Sequence, residues 1–504
     1  MANVLIDTLF ADKPSDKVCV ECADGTKLTY AQLQDATARS ASALVSLGVQ
    51  PGDRVAAQVD KSVSATVLYL ATIRAGAAFL PLNTAYTPAE VEYFIGDAEP
   101  ALFVCRPQSD ALLRPIAEAA GALLHTLDAD GCGGTWPQLA ASGAAEFTPM
   151  ERGDDDLAAI LYTSGTTGRA KGAMLTHRNL ASNAVTLAQY WQFSAADVLL
   201  HALPIFHTHG LFVAINTVLV AGASMMYLPR FEAGEVIAKM PRASVLMGVP
   251  TFYTRLLDEP ALSTEVARRM RLFISGSAPL LADTHRAFKA RTGHAILERY
   301  GMTETGMSTS NPYDGERRAG TVGFPLPGVE VRVCDAESGA ELPRGEVGTL
   351  EVRGPNVFKG YWRMPEKTAA EFRDDGFFIT GDLSLIDERG YVAIVGRGKD
   401  LIISGGYNIY PKEVESEIDE VPGVVESAVI GVPHPDFGEG AVAVVVGEPG
   451  ANLDEPAILA HIGERLASYK RPKRVFFVET LPRNTMGKVQ KNLLRDEYKD
   501  ACAG

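Results

Sequence analysis

From Thr29 to Glu304, short apolar runs alternate with stretches of helical periodicity, and that alternation admits few architectures. Thr29-Tyr-Ala-Gln32 carries the residues of a capping box. Leu33, Ala36, Ser40, Leu44 and Leu47 then share one helical face, and Gly48 closes it. Pro51-Gly-Asp53 turns the chain into a strand at 54–59. A helix is predicted over 62–75, a strand over 78–82, a helix capped by Thr87-Pro-Ala-Glu90, and a strand over 101–105. Further strands are predicted at 157–162, 198–203 and 246–250 and before the loops at Ser275 and Tyr300. Helices are predicted from Thr176 to about residue 191, and from a cap at Thr251 through Arg255. Strands joined through helices lie parallel, so the spacing predicts an α/β fold with a largely parallel sheet.

Between 320 and 396 the texture changes. Runs such as Glu330-Val-Arg-Val333 and Gly348-Thr-Leu-Glu-Val-Arg353, broken by Gly and Pro, predict a small antiparallel sheet or barrel. The remainder reads as a self-contained α+β unit: helices at 412–419 and 455–466, with strands at 426–432, 441–446 and 475–479. The expected organisation is a large N-terminal domain, 1–398, and a small mobile C-terminal domain, 399–504.

At 504 residues the chain is too long for one core, and its net charge of −15 disfavours a general nucleic-acid binder. The one dense cationic run, Lys470-Arg-Pro-Lys-Arg474, is short. No apolar run reaches the length of a membrane span, and the start Met1-Ala-Asn-Val-Leu-Ile-Asp7 lacks the features of a secretory signal. No membrane partner and a cytoplasmic location are therefore expected. Cys19 and Cys22 form a C-x-x-C, but no second pair stands at zinc-ligand spacing, so free thiols in a strand are expected.

Three strands lead into loops rich in small or hydroxyl residues. The first is Thr163-Ser-Gly-Thr-Thr-Gly-Arg-Ala-Lys171, whose glycines, hydroxyls and lysine suit phosphate oxygens. It is no Walker loop: Gly165 and Gly168 are two residues apart, and Lys171 runs on into Gly172-Ala-Met-Leu rather than a helix. The others follow Ser275 and Tyr300. Ligands of open α/β sheets bind beyond the carboxyl ends of strands, so the three could surround one nucleotide. Glu304 suits Mg²⁺, and Tyr300 suits a base. Pro204-Ile-Phe-His-Thr-His-Gly210 reads as a loop in which His207 serves a binding pocket rather than a metal.

Taken together these segments resemble the adenylate-forming acyl-CoA synthetases over nearly the whole chain. The resemblance is carried by Tyr162–Gly172, Tyr300-Gly-Met-Thr-Glu304, Thr380-Gly-Asp382, Gly396-Arg-Gly-Lys-Asp400, Ser404-Gly-Gly-Tyr-Asn-Ile-Tyr-Pro411 and Pro482-Arg-Asn-Thr-Met-Gly-Lys488. It implies that Thr163, Ser164, Gly165, Thr166, Thr167, Gly168 and Lys171 bind the triphosphate of ATP. Gly276, Ser277, Ala278, Glu298, Arg299, Tyr300, Gly301 and Met302 would line the nucleotide, and Asp382 and Arg397 would hold its ribose. Glu304 and Thr163 would hold Mg²⁺. Lys488, Glu304, Thr303 and His207 would be catalytic, Lys399 would be a hinge, and Ser404, Gly405, Gly406 and Tyr407 would guide CoA. Acylation of Lys488 by a lysine acetyltransferase, reversed by a deacetylase, would remove its charge and silence adenylation.

The acid is read from Arg299. A fatty or aryl acid gains nothing from a buried cation beside Tyr300, whereas a second carboxylate would pair with it. His207, Ser277 and Arg255 could complete a short polar pocket. Glu298-Arg-Tyr-Gly-Met-Thr-Glu-Thr305 and Leu203-Pro-Ile-Phe-His-Thr-His-Gly210 resemble malonyl-CoA synthetases, which implies malonate or methylmalonate with ATP and CoA. The alternatives are a synthetase for another short or medium acid, and an adenylating enzyme that loads a carrier protein.

Overall fold

Two helical segments buried on every side organise the large part of the molecule. Every residue from Ala65 to Arg74 of the helix Val63–Arg74 is buried, as is all of the π-helical segment His209–Ile215. A helix covered all round needs apolar layers on both sides. Tyr69 packs on Phe79 at 5.5 Å between ring centroids, while Thr66 shares a 2.7 Å hydrogen bond with Tyr227, and those partners belong to two different sheets. The computed structural model describes residues 3–163, 170–404, 407–435, 437–466, 468–484 and 487–502.

One sheet has nine strands. Its middle is parallel, in the order Leu297–Met302, Leu272–Ser275, Val245–Gly248, Val198–His201, Ser224–Tyr227 and Val18–Cys22. The second has seven: Leu157–Thr163, Ala78–Pro81, Arg54–Gln58, Leu102–Cys105 and Leu123–Thr126 run parallel, and Lys171–Thr176 and Gly360–Tyr361 add antiparallel strands. A four-stranded antiparallel sheet of Glu330–Cys334, Gly348–Arg353, Phe378–Ile386 and Val392–Arg397 fills the segment predicted to be one. Beyond it lies a five-stranded sheet whose two faces carry their own cores, one around Ile409, Val414 and Ile458, the other around Ile430, Leu481 and Leu494.

The mixed α/β fold, with large N-terminal sheets and a small C-terminal sheet, is the one the sequence predicts. Both capping boxes form: Gln32 and Glu90 reach back to the backbone of Thr29 and Thr87. All six cysteines are free, with Cys19 buried and Cys22 half-buried.

Three expectations are corrected, and one unpredicted helix is added. The segment Pro204–Gly210 is not loop throughout, because the π-helical turn starts at His209. A Cβ at Gly210 would meet the backbone of Pro204, and the Gly210 carbonyl lies 2.8 Å from His201 Nε2, so the chain closes there tightly. Thr251 is not the helix cap: the helix is Pro250–Asp258, Val249 holds the cap position, and proline occupies the first turn, where its missing N–H is harmless. Tyr300 is not in a loop, because the strand Leu297–Met302 outruns the parallel sheet and pairs antiparallel with Gly306–Ser310. Finally, a helix at Lys491–Glu497 packs Leu494 on the C-terminal sheet.

Candidate functional site

The carboxyl ends of the strands Leu157–Thr163 and Leu272–Ser275 and the strand Leu297–Met302 converge with the turn before Lys399, and four groups of side chains meet there.

The first surrounds Glu304. This carboxylate is 5% exposed, and burial raises its pKa. Thr163 Oγ1 stands 3.5 Å from Glu304 Oε1, and the Tyr361 hydroxyl stands 3.1 Å from that oxygen and 2.6 Å from Glu371 Oε2. Lys171, opposite Thr163 in the hairpin register, pairs with Glu371 at 3.2 Å and lies 4.0 Å above the Tyr361 ring. Hard oxygen donors and one cation thus face the mouth of the hairpin, a set that fits Mg²⁺ and phosphate. Ser164, Gly165, Thr166, Thr167 and Gly168 lie outside the described residues.

The second group is Tyr300, Asp382 and Arg397. The Tyr300 hydroxyl donates to Asp382 at 2.6 Å, and Arg397 Nε lies 3.2 Å from the other carboxylate oxygen. The Tyr300 phenol is pushed up by burial and by Asp382, so it stays a donor, and Asp382 keeps lone pairs for further hydroxyls.

The third group is Arg299, His207, His209 and Ser277. Arg299 is 3% exposed; its Nε and Nη2 find no hydrogen-bond partner among the described residues, and burial pulls its pKa down to about 9. It lies flat against Gly276, where an added Cβ would stand 2.5 Å from Arg299 Nε. Ser277 adopts a left-handed backbone, φ 72°, at the end of the sheet, and its hydroxyl lies 3.3 Å from His209 Nδ1. Such strain in a non-glycine residue needs surrounding structure to hold it. Burial, Lys488 and Arg299 lower the His207 pKa to about 4, so the imidazole is neutral at pH 7.

The fourth is Lys488. It keeps solvent access, yet the surrounding protein and the charge of Arg397 lower its ammonium to about 8, against the opposing pull of Asp382 and Glu304. Those charges, with Arg299 and His207, all lie within electrostatic range of it. The lysine arrives on a hairpin whose feet are tied down by ion pairs, Arg483 to Glu426 and Lys491 to Glu415. Gly487 lies against Thr251 of the large part.

Other expected residues fall elsewhere. Glu298, adjacent to Arg299, takes the opposite strand face and stands 3.7 Å from His285. Arg255 is exposed on its helix, where Phe252, Tyr253 and Leu256 form the buried side. Thr303 lines a small internal cavity with Thr208 and Asn356. Ala278 and Met302 are half-buried beside Ser277 and Tyr300, and Gly301 permits the close pass of Gly306. Lys399 is exposed in the turn Gly398–Asp400, next to an Asp400–Arg495 pair at 2.6 Å. The described contacts of Ser404 are with Tyr407 and Gly438 in its own sheet; Gly405, Gly406 and the Tyr407 side chain lie outside the described residues.

Sequence reasoning missed Tyr361, Glu371 and His209. The first two join Glu304 only through the fold. His209 was legible as one of the two histidines, and its burial was not.

The model of AMP-binding enzymes matches residues 8–362, and that of the AMP-binding enzyme C-terminal domain matches 413–488. Among curated relatives, a malonate–CoA ligase of Arabidopsis thaliana is 34% identical over 97% of this chain and 88% of its own length. A feruloyl-CoA synthase of an Amycolatopsis species is 37% identical over 94% of each. Among solved structures, ATP-bound MatB from Rhodopseudomonas palustris is 62% identical, covers 100% of both chains and gives a TM-score of 0.98.

Proposed function

The chain belongs to the AMP-binding enzyme family, and from that premise we propose that it is a malonyl-CoA synthetase, converting malonate, ATP and CoA to malonyl-CoA, AMP and pyrophosphate. Curated relatives named for malonate and for a bulky aryl acid match about equally well, so the acid is argued from the much stronger likeness to MatB and from the site itself. The observation that supports malonate is Arg299, a buried guanidinium with two N–H groups lacking acceptors among the described residues. An apolar acid would leave that charge desolvated and unpaired, whereas a distal carboxylate accepts both donors.

In the first half-reaction a carboxylate oxygen attacks the α-phosphorus and pyrophosphate leaves. Two anions must approach, and the residues divide the task. Arg299 holds the distal carboxylate, with Ser277 orienting His209 beside it, so only the proximal one reaches the nucleotide. Asp382 accepts ribose hydroxyls, Tyr300 and Arg397 fix its orientation, and Lys171 with the 163–171 hairpin meets the phosphates. Lys488 bridges the attacking carboxylate and the α-phosphate, stabilising charge that develops in transfer. Glu304 and Thr163 would hold Mg²⁺, which offsets phosphate charge when bound. In the second half-reaction the CoA thiol attacks the acyl carbon and AMP leaves. The C-terminal part, 399–504, turns about Lys399 to withdraw Lys488 and present the 404–407 segment to CoA.

Product analysis tests this directly: malonate should give stoichiometric AMP, pyrophosphate and malonyl-CoA, and absence of the thioester with malonate would refute it. Glu304→Gln should raise the Mg²⁺ requirement of adenylation by about 10–100-fold, read from Mg²⁺ titration of pyrophosphate release; an unchanged titration would remove Glu304 from the metal site. The pH profile carries a further expectation. Lys488 must be protonated to bridge two anions, and its pKa is lowered to about 8, so adenylation kcat/KM should fall as pH rises through about 8. Lys488→Arg should move that limb upward, and a limb unmoved by the substitution would assign it to another group.

A further inference from the structure

The pocket beside Gly276 holds more donors than a carboxylate has oxygens. Arg299 offers Nε–H and Nη2–H from one edge of its guanidinium, and both are buried without acceptors among the described residues. His209, 1% exposed, is the third donor. The Ser277 hydroxyl stands 3.3 Å from its Nδ1; with that hydroxyl donating, the ring proton sits on Nε2, which is buried and unpartnered. Arg299 lies against Gly276 and the adjacent Ser277 touches His209, so the donors are neighbours, and burial together with the charge of Arg299 keeps the imidazole neutral.

We infer that this pocket recognises a negative group one methylene from the reacting carboxylate whatever its central atom, and that the enzyme therefore also activates sulfoacetate. This rests on the reading of Arg299 as the anchor of a distal anion. A sulfonate presents three oxygens, one for each donor, where a carboxylate serves the same three with two. It also permits a single orientation. The sulfonate is a far weaker nucleophile than a carboxylate, so a productive complex has the sulfonate on Arg299 and the carboxylate at the nucleotide. The reaction balances as for malonate: a carboxylate oxygen bonds to the α-phosphorus and pyrophosphate departs. The CoA sulfur then bonds to the acyl carbon, the bond to AMP breaks, and the thiol proton passes to solvent.

The experiment supplies malonate, sulfoacetate and propionate separately to the full chain with ATP, Mg²⁺ and CoA, and follows AMP and thioester by chromatography and mass. Sulfoacetyl-CoA should form with kcat/KM within about 100-fold of malonate, while propionate falls well below both. His209→Phe should lower the sulfoacetate-to-malonate ratio of kcat/KM by about tenfold, because only the third donor is lost. Malonyl-CoA formation with sulfoacetate neither converted nor competing against malonate would overturn this inference and leave the malonate reading standing. Propionate used as well as either dianion would overturn both. The wild-type comparison decides the matter even where His209→Phe fails to fold.

Discussion

In Lys488→Gln, malonate-dependent ATP–pyrophosphate exchange should fall by about 10²–10³-fold, the usual loss when one preorganised donor to a developing anion is removed. Thioester formation from supplied malonyl-adenylate should keep most of its rate. The difference arises because Lys488 answers a need of the first step only. Its ammonium lies within electrostatic range of Arg397, Asp382, Glu304 and Arg299. In the second step no carboxylate approaches the phosphate. Tethering by the Arg483–Glu426 and Lys491–Glu415 pairs lets the substitution act on charge with little change in hairpin position. Equal losses in both half-reactions would show that Lys488 acts through the fold, not the charge.

Arg299→Met carries the second large effect. Removing one partner of a buried charge pair costs about 2–5 kcal/mol, so kcat/KM for malonate should drop by about 30- to several-thousand-fold. The free enzyme should become more heat-stable, because a buried cation that lacks acceptors on Nε and Nη2 among the described residues is replaced by an apolar chain of similar length. Activity and stability then move in opposite directions, which general damage to the fold cannot produce. Gly276→Ala provides a second route to the same end. The new methyl overlaps the guanidinium, the flexible end of a side chain, so Arg299 shifts while its charge remains. Malonate use should fall here too, as a rise in KM larger than the fall in kcat. A variant as active as the parent would mean the guanidinium position is not set by Gly276.

What could be read from the sequence divides by range. Capping boxes at Thr29 and Thr87 involve residues three apart, and both form as read. The site motifs were recognisable one by one, and Thr163, Tyr300, Glu304, Asp382, Arg397 and Lys488 do come together. Two side-chain orientations had a local signal available. Arg299 and Glu298 alternate across a strand, so Glu298, expected to line the nucleotide with Arg299, takes the other face toward His285. Arg255 is off the helix face set by Phe252, Tyr253 and Leu256. The π-helical start at His209 had no such signal, because the tight closure of Gly210 on Pro204 and His201 depends on neighbouring layers. Tyr361 and Glu371 were also beyond reach: short-range pattern says nothing about a tyrosine that meets Glu304 across a sheet edge.

The most direct test of the account is the ratio of kcat/KM for malonate to that for propionate, measured by pyrophosphate release in the wild type and in Arg299→Met. A buried site that hydrogen-bonds a substrate group rejects the analogue lacking it by about 10⁴-fold. The account predicts a wild-type ratio approaching that size and its collapse to within about tenfold of unity in the variant. A ratio that is high in both enzymes would place the distal carboxylate elsewhere, and a wild-type ratio near one would contradict the proposed substrate.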